Sequence, residues 1–208
     1  MVRLLLTAPL IVMPLLSFAA DKAPAKTFDY EYIQLDAGVG TTNEEWLENS
    51  NSTTLALGGN YLFTDNWMFN LDYSAQFIHP QDFTLRVDRL LLGAGYRYPL
   101  NNKLDIYGIY SIGALKAKAT ADSNDKTIYS ESEFLQAAKL GVHYLIKENL
   151  TATAEVKLTR SDWVDEDNYR LALNYQWHDV IGTGVYYQYR DVESNYINEA
   201  GISLRFLY

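Results

Sequence analysis

The 208-residue chain has no cysteine. A disulfide scaffold and a thiolate metal site are therefore excluded. Beyond residue 20 no apolar run approaches the roughly 20 residues a membrane helix needs, so helical spanning is excluded as well. Basic residues are in short supply, 17 against 26 acidic, for a net charge of −9. That balance argues against nucleic acid as a partner, because phosphate backbones are bound by clustered positive charge. No glycine-rich loop that could cradle a phosphate is present, and no cofactor is expected. What the chain does have is 17 tyrosines and four tryptophans, residues that concentrate where a protein surface crosses a lipid interface.

Residues 1–20 carry one basic residue, Arg3, then an apolar core at 4–16, then Ser17-Phe18-Ala19-Ala20. This is the pattern of a secretory signal peptide, with cleavage expected after Ala19 or Ala20. The core is too short for an anchor, and Pro9 and Pro14 would interrupt a helix. Residues 21–27 are small and polar with Pro24, a short lead-in to one domain at 28–208.

The segment 196–208 organises that domain. Ala200, Ile202, Leu204, Phe206 and Tyr208 alternate with Glu199, Ser203 and Arg205, which describes a strand with one apolar and one polar face. The same period-two pattern recurs at 28–39, 53–63, 67–78, 83–98, 104–117, 133–146, 150–159, 168–177 and 182–189. In the third segment Trp67, Phe69, Leu71, Tyr73, Ala75 and Phe77 alternate with Asn70, Asp72, Ser74 and Gln76, and aromatics stand at both ends of the apolar face. In the fifth both registers are apolar, and Ile106, Gly108, Tyr110, Ile112 and Ala114 are taken as outward. The longest loop is placed at 118–132, and 161–167 forms an acidic loop.

A soluble sandwich would also bury one face of each strand. Its core would then have to contain Asp36, Asp72, Lys139, Glu155, Lys157, Arg170, Glu199 and Arg205, more charge than a soluble core holds. The fold expected is an all-β, antiparallel, up-and-down barrel spanning a membrane on ten strands, with a polar inside. An even count puts both termini on one side, the periplasmic one, with longer loops outside. Small barrels are filled by their own side chains. The inward registers carry both signs: Asp36, Asp72, Glu155 and Glu199 against Arg97, Lys139, Lys157, Arg170, Arg190 and Arg205. An interlocked ion-pair network with Glu155 and Glu199 among its acidic centres is the expected content of the lumen.

The signal ending Ser17-Phe18-Ala19-Ala20, the strand Leu92-Gly93-Ala94-Gly95-Tyr96-Arg97-Tyr98 and the terminal Ile202-Ser203-Leu204-Arg205-Phe206-Leu207-Tyr208 resemble the small bacterial outer-membrane β-barrel family, with barrel domains of the OmpA-like kind. The commonest members of that family are eight-stranded, so eight strands is the alternative to ten. The resemblance implies an outer-membrane location and carries over no catalytic residue. It also implies that Ile202, Leu204, Phe206 and Tyr208 act as the signal by which the barrel-assembly machinery recognises the chain for insertion. A monomer in contact with lipid and lipopolysaccharide is expected.

Three functions follow from these readings. The leading one is a structural or surface-interaction barrel, the alternative a narrow porin-like channel, and the third a surface hydrolase around His79 and Asp82. A solvated loop histidine is the simpler account of His79, so the protein is not expected to be an enzyme. His143 reads as a structural lumen residue and His178 as an interface residue beside Trp177. The acidic stretch Asp162, Asp165, Glu166 and Asp167 lacks the pattern of an EF-hand and no metal site is assigned to it. With Glu44, Glu45 and Glu48 it would repel anions unless a divalent cation bridged these tips to lipopolysaccharide phosphates.

Overall fold

A computed structural model of the protein describes residues 28–43, 50–80, 83–121, 126–162, 164–193 and 195–208. Ten antiparallel strands run in chain order: β1 (Tyr32–Thr42), β2 (Asn51–Leu62), β3 (Trp67–His79), β4 (Phe83–Asn101), β5 (Leu104–Ala121), β6 (Thr127–Lys147), β7 (Leu150–Arg160), β8 (Asp165–His178), β9 (Ile181–Val192) and β10 (Asn195–Leu207). Each pairs with its chain neighbours, and β1 pairs with β10 from Tyr32↔Leu207 to Thr42↔Ile197. The barrel is closed, with no sheet edge left unpaired, and ten strands rather than eight build it.

Period-two alternation is what sorts side chains between the two faces. Trp67, Phe69 and Leu71 stand exposed on β3 while Met68 and Asn70 are buried. The fifth strand follows the same rule, with Tyr110, Ile112 and Ala114 outside and Asp105, Tyr107, Ile109 and Ser111 inside. Large apolar side chains such as Leu140, Leu171 and Ile202 are about as exposed as side chains become in a sheet. In water such a belt would drive aggregation, whereas in hydrocarbon it is the solvated face.

Aromatic pairs mark both edges of the belt. Trp67 meets Tyr96 edge-on at 5.1 Å and Trp177 meets Tyr175 at 4.6 Å near one end. Tyr189 lies 6.4 Å from Tyr169 and 5.8 Å from Tyr196 near the other. The first end also carries both ends of the barrel domain and the tight connections 63–66, 102–103, 148–149 and 179–180. Side chains hold two of these turns: Thr64 accepts the Trp67 N–H at 2.9 Å and Asn101 accepts the Lys103 N–H at 2.8 Å.

Most strands run a few residues beyond the pattern in the sequence, and three places show why the bounds differ. β1 begins at Tyr32 rather than at 28, because the ladders from β10 and β2 end opposite Tyr32, at Leu207 and Asn60. Residues 28–31 turn instead into the mouth of the lumen, where Phe28 and Tyr30 are buried. The stretch 118–132, expected to be a loop, is mostly hairpin: Lys118 pairs with Ser130 and Lys116 with Ser132. Beyond the belt both faces of a strand can be polar, so the ladder continues where the alternation has vanished. β8 likewise starts at Asp165, inside the expected acidic loop, with Glu166 opposite Thr159. The expected signal peptide and lead-in at 1–27, and Glu44, Glu45, Glu48 and Asp82, lie outside the described residues.

Candidate functional site

The lumen is a large polar environment that the strands enclose, and its lining changes along the barrel axis. At the mouth where the barrel domain begins and ends, Phe28, Tyr30, Met68, Tyr107 and Ile109 pack together. His143 sits among their rings, 4.7 Å from Tyr107 and 5.2 Å from Tyr30, and its Nδ1 shares a 2.8 Å hydrogen bond with Thr153. The Tyr107 ring lies over Gly141 of β6, where any side chain would overlap it. Arg97 ion-pairs with Asp105 at 2.6 Å, with its guanidinium 4.7 Å from the centre of the Tyr30 ring. Arg205 stacks on Tyr32 at 4.0 Å and donates to Gln34 through Nε at 3.0 Å and Nη2 at 2.6 Å.

Deeper in, the contacts cross the lumen. Asp72 of β3 reaches Lys157 of β7 at 3.3 Å and Lys139 of β6 at 3.6 Å. Those two lysines are directly opposite each other on the β6–β7 ladder, where like charges repel unless an anion lies between them. Asp36 of β1 pairs with Arg170 of β8 at 2.8 Å, and Arg170 covers the Tyr186 ring at 3.9 Å. The Glu155 carboxylate accepts a hydrogen bond from the Tyr107 hydroxyl.

Nearer the outer end, Glu199 accepts from Thr54 at 2.6 Å, Gln188 at 2.7 Å and Tyr186 at 3.0 Å, with Arg190 at 3.8 Å. Gly201 makes room for this cluster, since a side chain there would strike the Tyr186 ring. Arg89 of β4 meets Glu166 of β8 at 2.8 Å, and both Arg89 and Arg190 donate to Gln76, at 3.3 and 3.2 Å. Leu91, Leu115, Leu135 and Ala137 form an apolar cluster on the β4–β6 side.

Between these groups a polar cavity of about 110 Å³ remains, bordered by Asp36, Asp72, Glu155, Arg170 and Glu199 among others. A second of about 60 Å³ lies at the mouth beside Phe28, His143 and Arg205. Both are sized for small groups of water molecules held by polar side chains.

The lumen residues picked from the sequence are thus joined as Asp36 with Arg170, Asp72 with Lys139 and Lys157, and Arg190 with Glu199. Arg97 instead meets Asp105, Glu155 meets a tyrosine, and Arg205 meets a glutamine. Arg89, Asp105 and Glu166 are additional members. The first two fall on the inward registers of their strands, and that parity was the available signal; Glu166 was concealed by the loop assignment. It is a buried lumen residue and not part of an exposed acidic tip. Asp165 and Asp167 do lie on the outer wall, where Arg160 approaches them at 3.9 and 2.7 Å.

Ile202, Leu204, Phe206 and Tyr208 stand exposed on the outer wall of β10 and just past it. His79 and His178 are exposed at strand ends. Among the described residues no group of three or more His, Cys, Asp or Glu side chains converges as a metal site would require.

The beta domain of the Bordetella autotransporter BrkA is similar at 10% identity and a TM-score of 0.51, over 86% of this chain and 99% of that one. The translocator domain of the autotransporter NalP from Neisseria meningitidis is similar at 10% identity and a TM-score of 0.50, over 87% and 89%. At this identity the two likenesses show the barrel fold and nothing finer. Neisserial surface protein A is also similar, at 14% identity and a TM-score of 0.46, over 85% of this chain and 96% of that one. No curated protein sequence matches the chain. The family model for the outer membrane protein beta-barrel domain matches residues 10–177, and the protein belongs to that family of outer-membrane barrels.

Proposed function

We propose that the protein is a non-enzymatic structural or surface-interaction barrel whose lumen is plugged by ion pairs and aromatic rings. The observation that carries this reading is that the charged contacts run across the lumen, from β3 to β6 and β7, from β1 to β8 and from β4 to β8. A water-filled pore would leave these groups solvated on their own walls. Here they meet in the middle, and the two cavities described between them are small. The absence of an enzyme function is supported by the histidines: His143 is packed among rings and bonded to Thr153, and His79 and His178 sit on exposed strand ends.

In this reading the protein acts through its wall and its outer rim as a monomer. Lipid and lipopolysaccharide are its standing partners, and the barrel-assembly machinery recognises Ile202, Leu204, Phe206 and Tyr208 during insertion. Planar-bilayer recording on the intact barrel is the test. Only brief, small conductance events are expected, and large stable channels would overturn the reading in favour of a porin-like channel.

A further inference from the structure

On the outer wall just beyond the apolar belt, β4 and β5 place four charges side by side. Leu90 and Ala114 are the last apolar pair on the outward face of these strands. Two residues further along, roughly 7 Å, Asp88 lies opposite Lys116, and in the next pair of the same face Arg86 lies opposite Lys118. These positions share the parity of exposed Leu92 and Ile112, so they belong to the lipid-facing wall.

The one carboxylate of the group is already engaged. Asp88 accepts from Arg86 at 2.8 Å and from the Tyr73 hydroxyl at 2.7 Å, and Arg86 also covers the Phe77 ring at 5.4 Å. Arg86 and Asp88 cancel, and Lys116 and Lys118 are left in excess on a chain whose net charge is −9. Among the described residues no carboxylate comes within 4 Å of either lysine nitrogen. Directly opposed cations such as Arg86 and Lys118 destabilise a ladder unless an anion joins them. The neighbouring strand adds hydroxyl donors: exposed Ser132 pairs with Lys116 and exposed Ser130 with Lys118. Elsewhere at the belt's edge the wall is self-compensating, as where Arg160 is matched by Asp165 and Asp167.

We propose that Arg86, Lys116, Lys118, Ser130 and Ser132 form a docking site for a phosphate of lipopolysaccharide in the outer leaflet. Both ends of an even-stranded barrel domain lie at the periplasmic end, and the β4–β5 and β5–β6 ladders run past the belt at the opposite one, so this edge of the belt faces the outer leaflet, whose phosphates belong to that glycolipid. Cations set at the hydrocarbon boundary meet the headgroup while Leu90, Ala114 and Phe134 meet its acyl chains. The site depends on the orientation of the barrel and is independent of whether the lumen conducts.

The test is native mass spectrometry of the intact, detergent-solubilised barrel incubated with bisphosphorylated lipid A. Replacing both lysines (K116Q with K118Q) should weaken retention roughly thirtyfold, the worth of two basic residues at an anionic lipid surface. R160Q, on the compensated side, should change it by no more than about twofold. Fully dephosphorylated lipid A on the unaltered protein should be lost as the double variant loses the native lipid, which keeps the test decisive even if that variant does not fold. Retention unchanged by the double substitution, or by removal of the phosphates, would overturn the proposal. So would equal retention of phosphatidylglycerol, or displacement of lipid A by millimolar inorganic phosphate, which would mark a general anion site.

Discussion

The charges inside the barrel and those on its outer wall form pairs of nearly the same length in two different solvents. Arg89 and Glu166 meet at 2.8 Å with side chains 10% and 3% exposed, and Arg160 and Asp167 meet at 2.7 Å with side chains 32% and 36% exposed. Distance does not rank them. A pair that water reaches costs little to separate, with a typical worth of about 0–1 kcal/mol. Removing one member of a buried pair strands the other in a place where it is poorly solvated, at a cost of about 3–5 kcal/mol. The pairs of Asp72 with Lys139 and Lys157, of Asp36 with Arg170 and of Arg89 with Glu166 also join strands that are not neighbours in the sheet, so they fix the cross-section of the barrel, a task the outer pairs cannot perform.

The largest effect is expected where a buried carboxylate serves the most partners. Glu199→Ala removes the common acceptor of Thr54, Tyr186 and Gln188 and the anion facing Arg190. A loss on the order of 3–5 kcal/mol is expected in urea unfolding from lipid vesicles; a loss below about 1 kcal/mol would place this cluster with the outer wall. Next comes Asp72→Asn, which keeps the shape but leaves Lys139 and Lys157 opposed on adjacent strands. About 2–3 kcal/mol is expected from the unscreened repulsion and the lost charge-assisted bonds. Adding Lys157→Met should recover much of it, and failure to do so would show that Asp72 acts by something other than separating two cations.

Strand number, closure and the sorting of side chains between lumen and lipid were legible because all three follow from a period of two sustained over segments long enough to cross the belt. Even in β5, with two apolar registers, the choice of Ile106, Tyr110 and Ile112 as the outer set agrees with their placement. The hairpin of β5 and β6 was not legible beyond residue 117. Its ladder is held by backbone bonds, and outside the bilayer the side chains need no alternation. Partners within the lumen were legible only as a set of inward charges. Parity says that a residue points inward, but which strand it meets across the interior depends on stagger and side-chain reach. Glu155 shows the consequence. Its parity suggests a carboxylate whose loss strands cations, yet Lys139 is held by Asp72 and Arg170 by Asp36, and Glu155 takes the Tyr107 hydroxyl. Glu155→Gln keeps an acceptor for that hydroxyl, so roughly 1–2 kcal/mol is expected, the value of exchanging a charge-assisted bond for a neutral one. Leakage in a vesicle dye-release assay would show that the carboxylate balances more charge than its hydrogen bond implies.

The smallest effect is expected at Arg160→Ala, and it sharpens the comparison most directly because its geometry rivals that of the inner pairs. The guanidinium reaches Asp167 at 2.7 Å and also donates to the carbonyls of Thr159 at 2.8 Å and Glu166 at 3.2 Å. If length and number of contacts set the cost, this arginine should rank beside Arg89. Its side chain is, however, about one-third exposed and its carboxylate partners more so, at 36% and 64%. Truncation returns Asp165 and Asp167 to water, where each is well solvated, and the two carbonyls lie at the strand ends where water can replace the donor. The expected loss is within about 1 kcal/mol and shrinks further in molar salt, because exposed charges are screened over a few ångströms there. The same unfolding measurement on Arg89→Ala, made at low and high salt, supplies the contrast: a large loss that salt barely changes. Equal losses for the two arginines would mean that the wall at this height is as poorly solvated as the lumen.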